Sequence, residues 1–400
     1  MNYNVVNRVR GVYMKKSVGI VVEYNPFHNG HKYHCLKAKE YGDIVVAVMS
    51  GDYVQRGEPA FIDRWTRAEL ALKNGVDIVV ELPIFYSTQS AEIFARGAIG
   101  ILNLMNIEKL VFGSETGDVK KLIERGDLEE QEEFKVELKK QLKEGHSYPT
   151  AYSNTLKILD KIDELDSNDI LGVEYIKALK FWKSKIEPIA IKREKSGYYS
   201  EEIKDGIASA TGIRKKIQSG EEIKDVVPTT TYEILKESLE KNNFAKLQDF
   251  YPLIRHRILL EKEKLERIQD IEQGYENRIY EAAFSCKEFE SFFEKIKSKR
   301  YTQGRVQRIL IHILLGIEKE QIERVKEKIP YIRVLGFTKE GQNYLKKLKD
   351  EEVEVLTSLK NIQKYLEKDS LDLLEQNEVA SKIYAMVNPY EDRKIPIIIK

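Results

Sequence analysis

Two histidines three positions apart, His28 and His31, enclose Gly30 and stand shortly after the apolar run Val18–Val22. Imidazole N–H groups at this spacing can point the same way and donate hydrogen bonds to phosphoryl oxygens, while Gly30 lets the backbone come close to a ligand. The run ahead of them is short, β-branched and apolar throughout, which suits a strand buried on both faces. Pro26 and Asn29-Gly30 break it, and His31 opens an amphipathic stretch through Tyr41. The histidines therefore fall where a strand's carboxyl end meets the first turn of a helix, whose free N–H groups and dipole favour phosphate. The competing reading is a pair of surface histidines beside a turn, but chance rarely sets His-x-Gly-His after a buried first strand.

Further apolar runs at Asp43–Met49, Asp77–Leu82, Lys109–Phe112 and Pro188–Ile191 complete a strand series with helical patterns between the first four. That alternation predicts an α/β fold with a doubly wound parallel sheet. Asp63 is placed to cap DRWTRAELALKNG with Gly75 just past its end, and Ser90 to cap AEIFARGAIGILNLM. Ligands in such sheets bind beyond the strands' carboxyl ends, where His28, Ser50-Gly51, Pro83 and Gly113-Ser114 all fall. Leu122–Gly145 reads as a charged helical stretch, a solvated face or lid. The predicted division is an α/β catalytic domain built on that sheet over 14–228, a helical domain over 229–328, and a small α/β C-terminal appendage over 329–400. Residues 1–13, ahead of Met14-Lys15-Lys16, read as a disordered or misassigned extension.

A second phosphate-binding element is predicted in ASATGIRKKI, where Ser209 and Thr211 stand ahead of a helix whose first turn carries Arg214; an ordinary capped helix is the alternative. The loop Ser50–Pro59, polar and glycine-bounded, follows a buried strand and is the candidate for the side of the same cleft that takes a second substrate, against a plain connecting loop. Lys295–Arg308, KIKSKRYTQGRVQR, holds six basic residues and no acidic one. Lys297, Lys299, Arg300, Arg305 and Arg308 suit phosphates, with Tyr301 available to stack on an unpaired base; Arg255-His256-Arg257 forms a smaller cluster. His146, His256 and His312 are scattered and read as structural or surface residues. There is no P-loop, no HExxH and no Ser-His-Asp set.

The chain has 400 residues and a net charge of +1, so any RNA site must be a local patch. Cys35 and Cys286 are too few for a disulfide framework and lack zinc spacing. No segment approaches the roughly 20 apolar residues of a membrane span, and no signal-peptide core stands at the N-terminus. A soluble protein of the reducing cytoplasm is expected, without an obligate protein partner and without a dedicated metal site.

EYNPFHNGH, AVMSGDYVQRGEPA, FARGAIGILN and FGSETGD, together with NDILG at 168–172 and ASATGIR at 208–214, resemble the bacterial tRNA(Met) cytidine acetate ligases of the nucleotidylyltransferase superfamily. The resemblance covers nearly the whole chain. It implies that His28 and His31 are catalytic and act at the α-phosphate of ATP. It implies ATP contacts along Val21, Val22, Glu23, Tyr24, Asn25, Pro26, Phe27, His28, Asn29, Gly30, His31, Lys32, Tyr33 and His34, and at Gly113, Asn168, Arg193, Ser209, Thr211 and Arg214, with the last three at the β- and γ-phosphates. Asn168 could equally cap a helix beginning at Ile170. The implied substrates are ATP with Mg2+, acetate and elongator tRNA(Met), acetylated at N4 of its wobble cytidine. Two alternatives stay open: a small-molecule nucleotidylyltransferase or citrate-lyase-type acetate ligase, and a non-catalytic nucleotide-binding RNA adaptor. The length of chain beyond Thr231 argues against the first, and an intact His28, Gly30 and His31 against the second.

Overall fold

The computed structural model describes residues 15–159, 167–193, 208–241 and 244–399. The expected extension over 1–13 lies outside the described residues. Among the described residues nine strands are formed: β1 (Ser17–Val22), β2 (Ile44–Ser50), β3 (Tyr53–Val54), β4 (Glu58–Pro59), β5 (Ile78–Leu82), β6 (Lys109–Ser114), β7 (Glu187–Lys192), β8 (Arg333–Thr338) and β9 (Ile397–Ile399). Seven make one sheet in the order β7-β6-β1-β2-β5-β8-β9, and β3 and β4 form a small antiparallel hairpin. From β7 to β5 all neighbours are parallel, as the alternation of apolar runs and helices requires. The chain runs outward from β1 to β2 and β5, then returns to add β6 and β7 on the other side. The strand order therefore reverses between β1 and β6, and a crevice opens at their carboxyl ends.

Local signals position the helices on this frame. Asp63 caps Arg64–Lys73 by accepting from the N–H groups of Trp65 and Thr66, and Gly75, with φ +110°, turns the chain after it. Ser90 holds the N-cap position of Ala91–Leu104, though its hydroxyl makes no capping bond. Leu122–Gly145 divides into two helices, Val119–Glu130 and Glu132–Lys143, which bury Leu122 and Phe134 and leave most of their charge outside.

The C-terminal segment differs from expectation in one respect. It is not an appendage, because β8 pairs antiparallel with β5 and β9 extends the sheet beyond it. The physical cause is the edge of β5, whose residues are all buried and whose backbone groups need a partner. The helix Lys368–Val387 follows, accepting at its Ala380 carbonyl from the Tyr53 hydroxyl and donating from the Tyr384 hydroxyl to the Ala60 carbonyl. Between these elements lies a buried ion network: Arg64 and Arg333 against Asp52, Glu81, Glu378 and Asp392. The region after Thr231 is helical as predicted, from Thr229–Lys241 through Gln303–Leu315 to Lys319–Glu327. Its first helix packs with the Arg64–Lys73 helix on one side of the sheet, while the remainder shares a hydrophobic core with the opposite side.

Candidate active site

The loop leaving β1 is held in an unusual shape. Tyr24 has φ +52°, a region that bulky side chains seldom adopt, and its buried hydroxyl contacts the Cys35 sulfur at 3.1 Å. Tyr24, Phe27 and His31 form an aromatic cluster with ring centroids 4.6 to 5.7 Å apart. His28 is the N-cap of the helix Asn29–Lys39: its Nδ1 accepts from the Gly30 N–H at 3.1 Å. The Nδ1 of His31 accepts in turn from the His28 N–H at 3.3 Å, completing a reciprocal capping box. The two rings stack at 3.6 Å between centroids. With both Nδ1 atoms occupied as acceptors, the network assigns the proton of each neutral ring to Nε2.

Burial, with Arg193 and Arg214 adding to it, pushes His28 down to about 3. Burial also holds His31 well below the ordinary imidazole range, helped by His28, His34 and Arg193. His34, whose Nε2 meets the Val111 carbonyl at 3.3 Å, is pushed down to about 4, again chiefly by burial. All three are neutral at pH 7. The site thus offers neutral N–H donors inside the positive field of two arginines, a combination suited to a polyanion.

The separate segments predicted to share the site do meet. Ser209 caps Ala210–Gln218, its Oγ accepting from the Gly212 N–H at 3.1 Å. Arg214 then donates to the Asn25 carbonyl at 2.9 Å and to the Thr211 hydroxyl at 3.3 Å, tying this helix to the histidine loop. At the end of β6, Gly113 leaves room for the stem of Arg193, since a Cβ there would lie 3.3 Å from its Cγ. Arg193 N donates to the Ser114 carbonyl at 2.9 Å. Asn168 sits within the first turn of Ser167–Phe181 and so does not cap a helix beginning at Ile170; its amide donates to Glu115 at 2.5 Å. The residue that sequence reasoning missed is its neighbour Asp169, 1 % exposed, which accepts from the Ser114 hydroxyl and from the Glu115 and Thr116 N–H groups. The signal available was FGSETG, a run of donors that needs a buried acceptor.

Along 21–34 the residues divide by role. Val22, Tyr24 and Phe27 are buried in the core behind the site. Lys32 and Tyr33 are exposed on the outer face of the helix, with the Lys37 ammonium over the Tyr33 ring. Asn25 accepts from the Phe61 N–H at 2.7 Å, and Asn29 donates to the Asp225 carbonyl at 3.1 Å. The half-buried Glu23 accepts from the Gln55 N–H at 2.8 Å. Arg67, fully buried, donates to the carbonyls of Glu23, Ser50, Gly51 and Ile62, and so fixes the ends of β1 and β2 together.

The Ser50–Pro59 loop folds into the β3–β4 hairpin and is mostly buried: Asp52 is committed to the ion network, and Arg56 alone of its residues is exposed. One expectation is corrected. Tyr301 is not free to stack on a base, because its ring lies 3.9 Å from that of Tyr275 and the Arg305 guanidinium lies over it. The apparent absence of acids from the basic run is also local to the sequence. Arg300 and Arg305 pair with Glu272, Arg308 with Asp270, and Lys297 with Glu294, all from other positions. Lys299 is exposed. The run is nevertheless close to the cleft. Gly57 abuts the backbone of Arg308, and Gln307 donates to Glu58 at 2.9 Å. Of the scattered histidines, His312 is a buried structural residue between the Thr88 and Gln269 carbonyls, and His256 is at the surface.

Residues 14–395 match the model of the HIGH Nucleotidyl Transferase family. The tRNA(Met) cytidine acetate ligase of Fusobacterium nucleatum is 45 % identical over 398 residues, covering 96 % of this chain and 98 % of the relative. That of Caldicellulosiruptor saccharolyticus is 46 % identical, covering 93 % and 94 %. The crystal structure of apo TmcAL from Thermotoga maritima superposes with a TM-score of 0.88 at 32 % identity over 96 % of this chain and 99 % of that one. The same protein bound with alpha-thio ATP gives 0.85 at the same identity and coverage. With its histidine pair at the switch point of a doubly wound sheet and its likeness to these enzymes running end to end, the chain is a ligase and belongs to the tRNA(Met) cytidine acetate ligase family of HIGH nucleotidyl transferases.

Proposed function

We propose that this enzyme activates acetate with ATP and transfers the acetyl group to N4 of the wobble cytidine, position 34, of elongator tRNA(Met). The observation that carries the reading is the bond from Arg214 to the Asn25 carbonyl, which brings the ASATGIR helix against the His28–His31 turn. In the first step an acetate oxygen attacks the α-phosphorus of ATP, and pyrophosphate leaves. The Nε2–H groups of His28 and His31, with Arg193, stabilise charge at the α-phosphate; Ser209, Thr211 and Arg214 hold the β- and γ-phosphates. Magnesium enters with the triphosphate, as the MgATP substrate. In the second step N4 attacks the acetyl carbonyl and AMP leaves. The amine's lone pair is delocalised into the pyrimidine ring, which makes an activated acyl donor necessary. An unpaired wobble base can reach the cleft without the cost of opening a duplex.

Lys297, Lys299, Arg300, Arg305 and Arg308 bind tRNA phosphates, with Tyr301 supporting them from within. The contact between the Gln303–Leu315 helix and the β3–β4 hairpin supports this reading, since RNA bound on that helix would lie beside the cleft. Among the described residues no helix is long and apolar enough to cross a membrane, and the reaction belongs in the cytoplasm, where its substrates are. The test is exchange of labelled pyrophosphate into ATP, run with and without acetate and tRNA. Exchange should require acetate and proceed without tRNA, while labelled acetate should appear in tRNA(Met) at one cytidine. Exchange indifferent to acetate, or acetyl transfer to a small acceptor in place of tRNA, would overturn the reading.

A further inference from the structure

We propose that the Glu23 carboxylate takes the proton released by the cytidine N4 amine during acetyl transfer, an inference that rests on the two-step reading above. The step balances as follows: the N4 lone pair forms the N–C bond to the acetyl carbon, the C–O bond to the AMP phosphate breaks with its electron pair going to that phosphate, and one N4 proton passes to Glu23. Deacylation by an amine of such low basicity needs a base at the nitrogen, and the geometry leaves few choices. His28 and His31 cannot serve, because the lone pair of each Nδ1 already accepts a backbone N–H and each Nε2 is a donor. Neighbouring carboxylates are engaged through both oxygens. Asp52 accepts from the Arg64 N–H and the Tyr390 hydroxyl, Glu58 accepts from Gln307 with one oxygen and pairs with Arg214 at 4.0 Å through the other, Glu115 accepts from Asn168 and the Asp169 N–H, and Asp169 accepts from the β6 loop with both.

Glu23 differs from these. One oxygen accepts the Gln55 N–H at 2.8 Å, and among the described residues the other accepts no hydrogen bond. Its main chain is clamped by Arg67, which donates to the Glu23 carbonyl at 2.7 Å and also to the ends of β2, so the side chain leaves from a fixed point. It stands between the two places where the substrates must meet. Arg214, on the nucleotide side, and Arg56, on the hairpin that abuts the basic helix, both act on its charge. Among the described residues Arg67 and the Tyr175 hydroxyl also face it. Burial raises Glu23 above the ordinary carboxylate range in spite of these arginines, which makes it a better base near neutral pH.

Glu23→Gln keeps an oxygen for the Gln55 N–H and removes the base. The experiment compares acetate-dependent pyrophosphate exchange with single-turnover acetyl transfer to tRNA(Met), both across pH. Transfer should fall on the order of a hundredfold, at least tenfold more than exchange. The wild-type transfer rate should decline on the acid side with an inflection above the ordinary carboxylate range, and the Gln variant should lack that inflection. Glu23→Asp should recover part of the transfer, and together with the wild-type profile it decides the matter if the Gln variant does not fold. Equal loss of exchange and transfer would overturn the proposal, making Glu23 a support for the nucleotide site. Unchanged transfer would overturn it as well. Failure of the two-step reading would be distinct, because the unaltered enzyme would then show no acetate-dependent exchange.

Discussion

On the proposed reading His28 serves two purposes through two different nitrogens, and a pair of substitutions can separate them. Its Nδ1 closes the helix cap with the Gly30 N–H at 3.1 Å, and its Nε2 is the donor available to a phosphoryl oxygen. His28→Ala removes both. Loss of the cap costs about 1 kcal/mol, and loss of the ring that stacks on His31, in a residue only 7 % exposed, costs roughly another 1 kcal/mol. In a chain of this size about 2 kcal/mol lowers Tm by about 4 °C or less. His28→Asn restores an acceptor of high N-cap preference and so should recover about half of that loss. It cannot restore the Nε2–H, whose removal should slow adenylate formation by on the order of a hundred- to a thousandfold, or about 3 to 4 kcal/mol of transition-state stabilisation. Differential scanning fluorimetry and acetate-dependent pyrophosphate exchange on the two variants read the two effects independently. The reasoning fails if the Asn variant regains exchange to within tenfold of the wild type along with its stability, because the cap alone would then explain the residue.

Gly57→Ala places a Cβ 2.1 Å from Arg308 N in a backbone with φ +76°; the hairpin must withdraw from the basic helix, costing about 2 to 3 kcal/mol and reducing tRNA acetylation more than pyrophosphate exchange. Normal stability in urea titration would show that the contact yields freely. The depressed pKa of His28 means that the unfolded chain takes up its proton first, so this residue's contribution is complete above about pH 6.5 and is lost as pH falls toward 3. Near pH 4.5 the loss is about 2 to 3 kcal/mol, and the His28→Asn variant should lack that part of the acid sensitivity when unfolding is followed at both pH values. Lys299→Ala with Arg300→Ala should weaken tRNA binding and flatten the dependence of log affinity on log salt by about 0.7 per lost phosphate contact. A filter-binding series with an unaltered slope would reduce the run to a solvated surface.

The residues that were legible in the sequence act through local chemistry. The histidine turn, the Asp63 cap, the five parallel strands and the ASATGIR helix all announce themselves by spacing, β-branching or capping residues within a few positions. What was not legible depends on partners far away in the chain. The basic run reads as free of acids because Asp270 and Glu272 reach it only through folding. Tyr301 reads as an exposed aromatic until Tyr275 stacks on it. The loop after β2 reads as polar, yet Asp52 is neutralised by Arg64 and accepts from the Tyr390 hydroxyl at 3.1 Å, across more than 300 residues. Glu23 and Asp169 stand beside motif residues but are distinguished only by which donors converge on them.

The closing of the sheet by β8 and β9 bears on how the molecule is made. Strand β5 ends at Leu82, and the strand that covers its edge begins at Arg333. At ordinary translation rates the interval between them is on the order of 10 to 50 s. Through that interval a five-residue strand, apolar but for Glu81, has an open edge, and Arg64 lacks the carboxylates of Glu378 and Asp392 that complete its neutralisation. A nascent chain that has already written its whole catalytic motif must therefore wait for its last residues before the sheet beneath that motif is finished. Ribosome-bound intermediates ending before residue 333 should be protease-sensitive and prone to edge-to-edge association, and loss of the C-terminal strands should disable the nucleotide site without touching any residue in it.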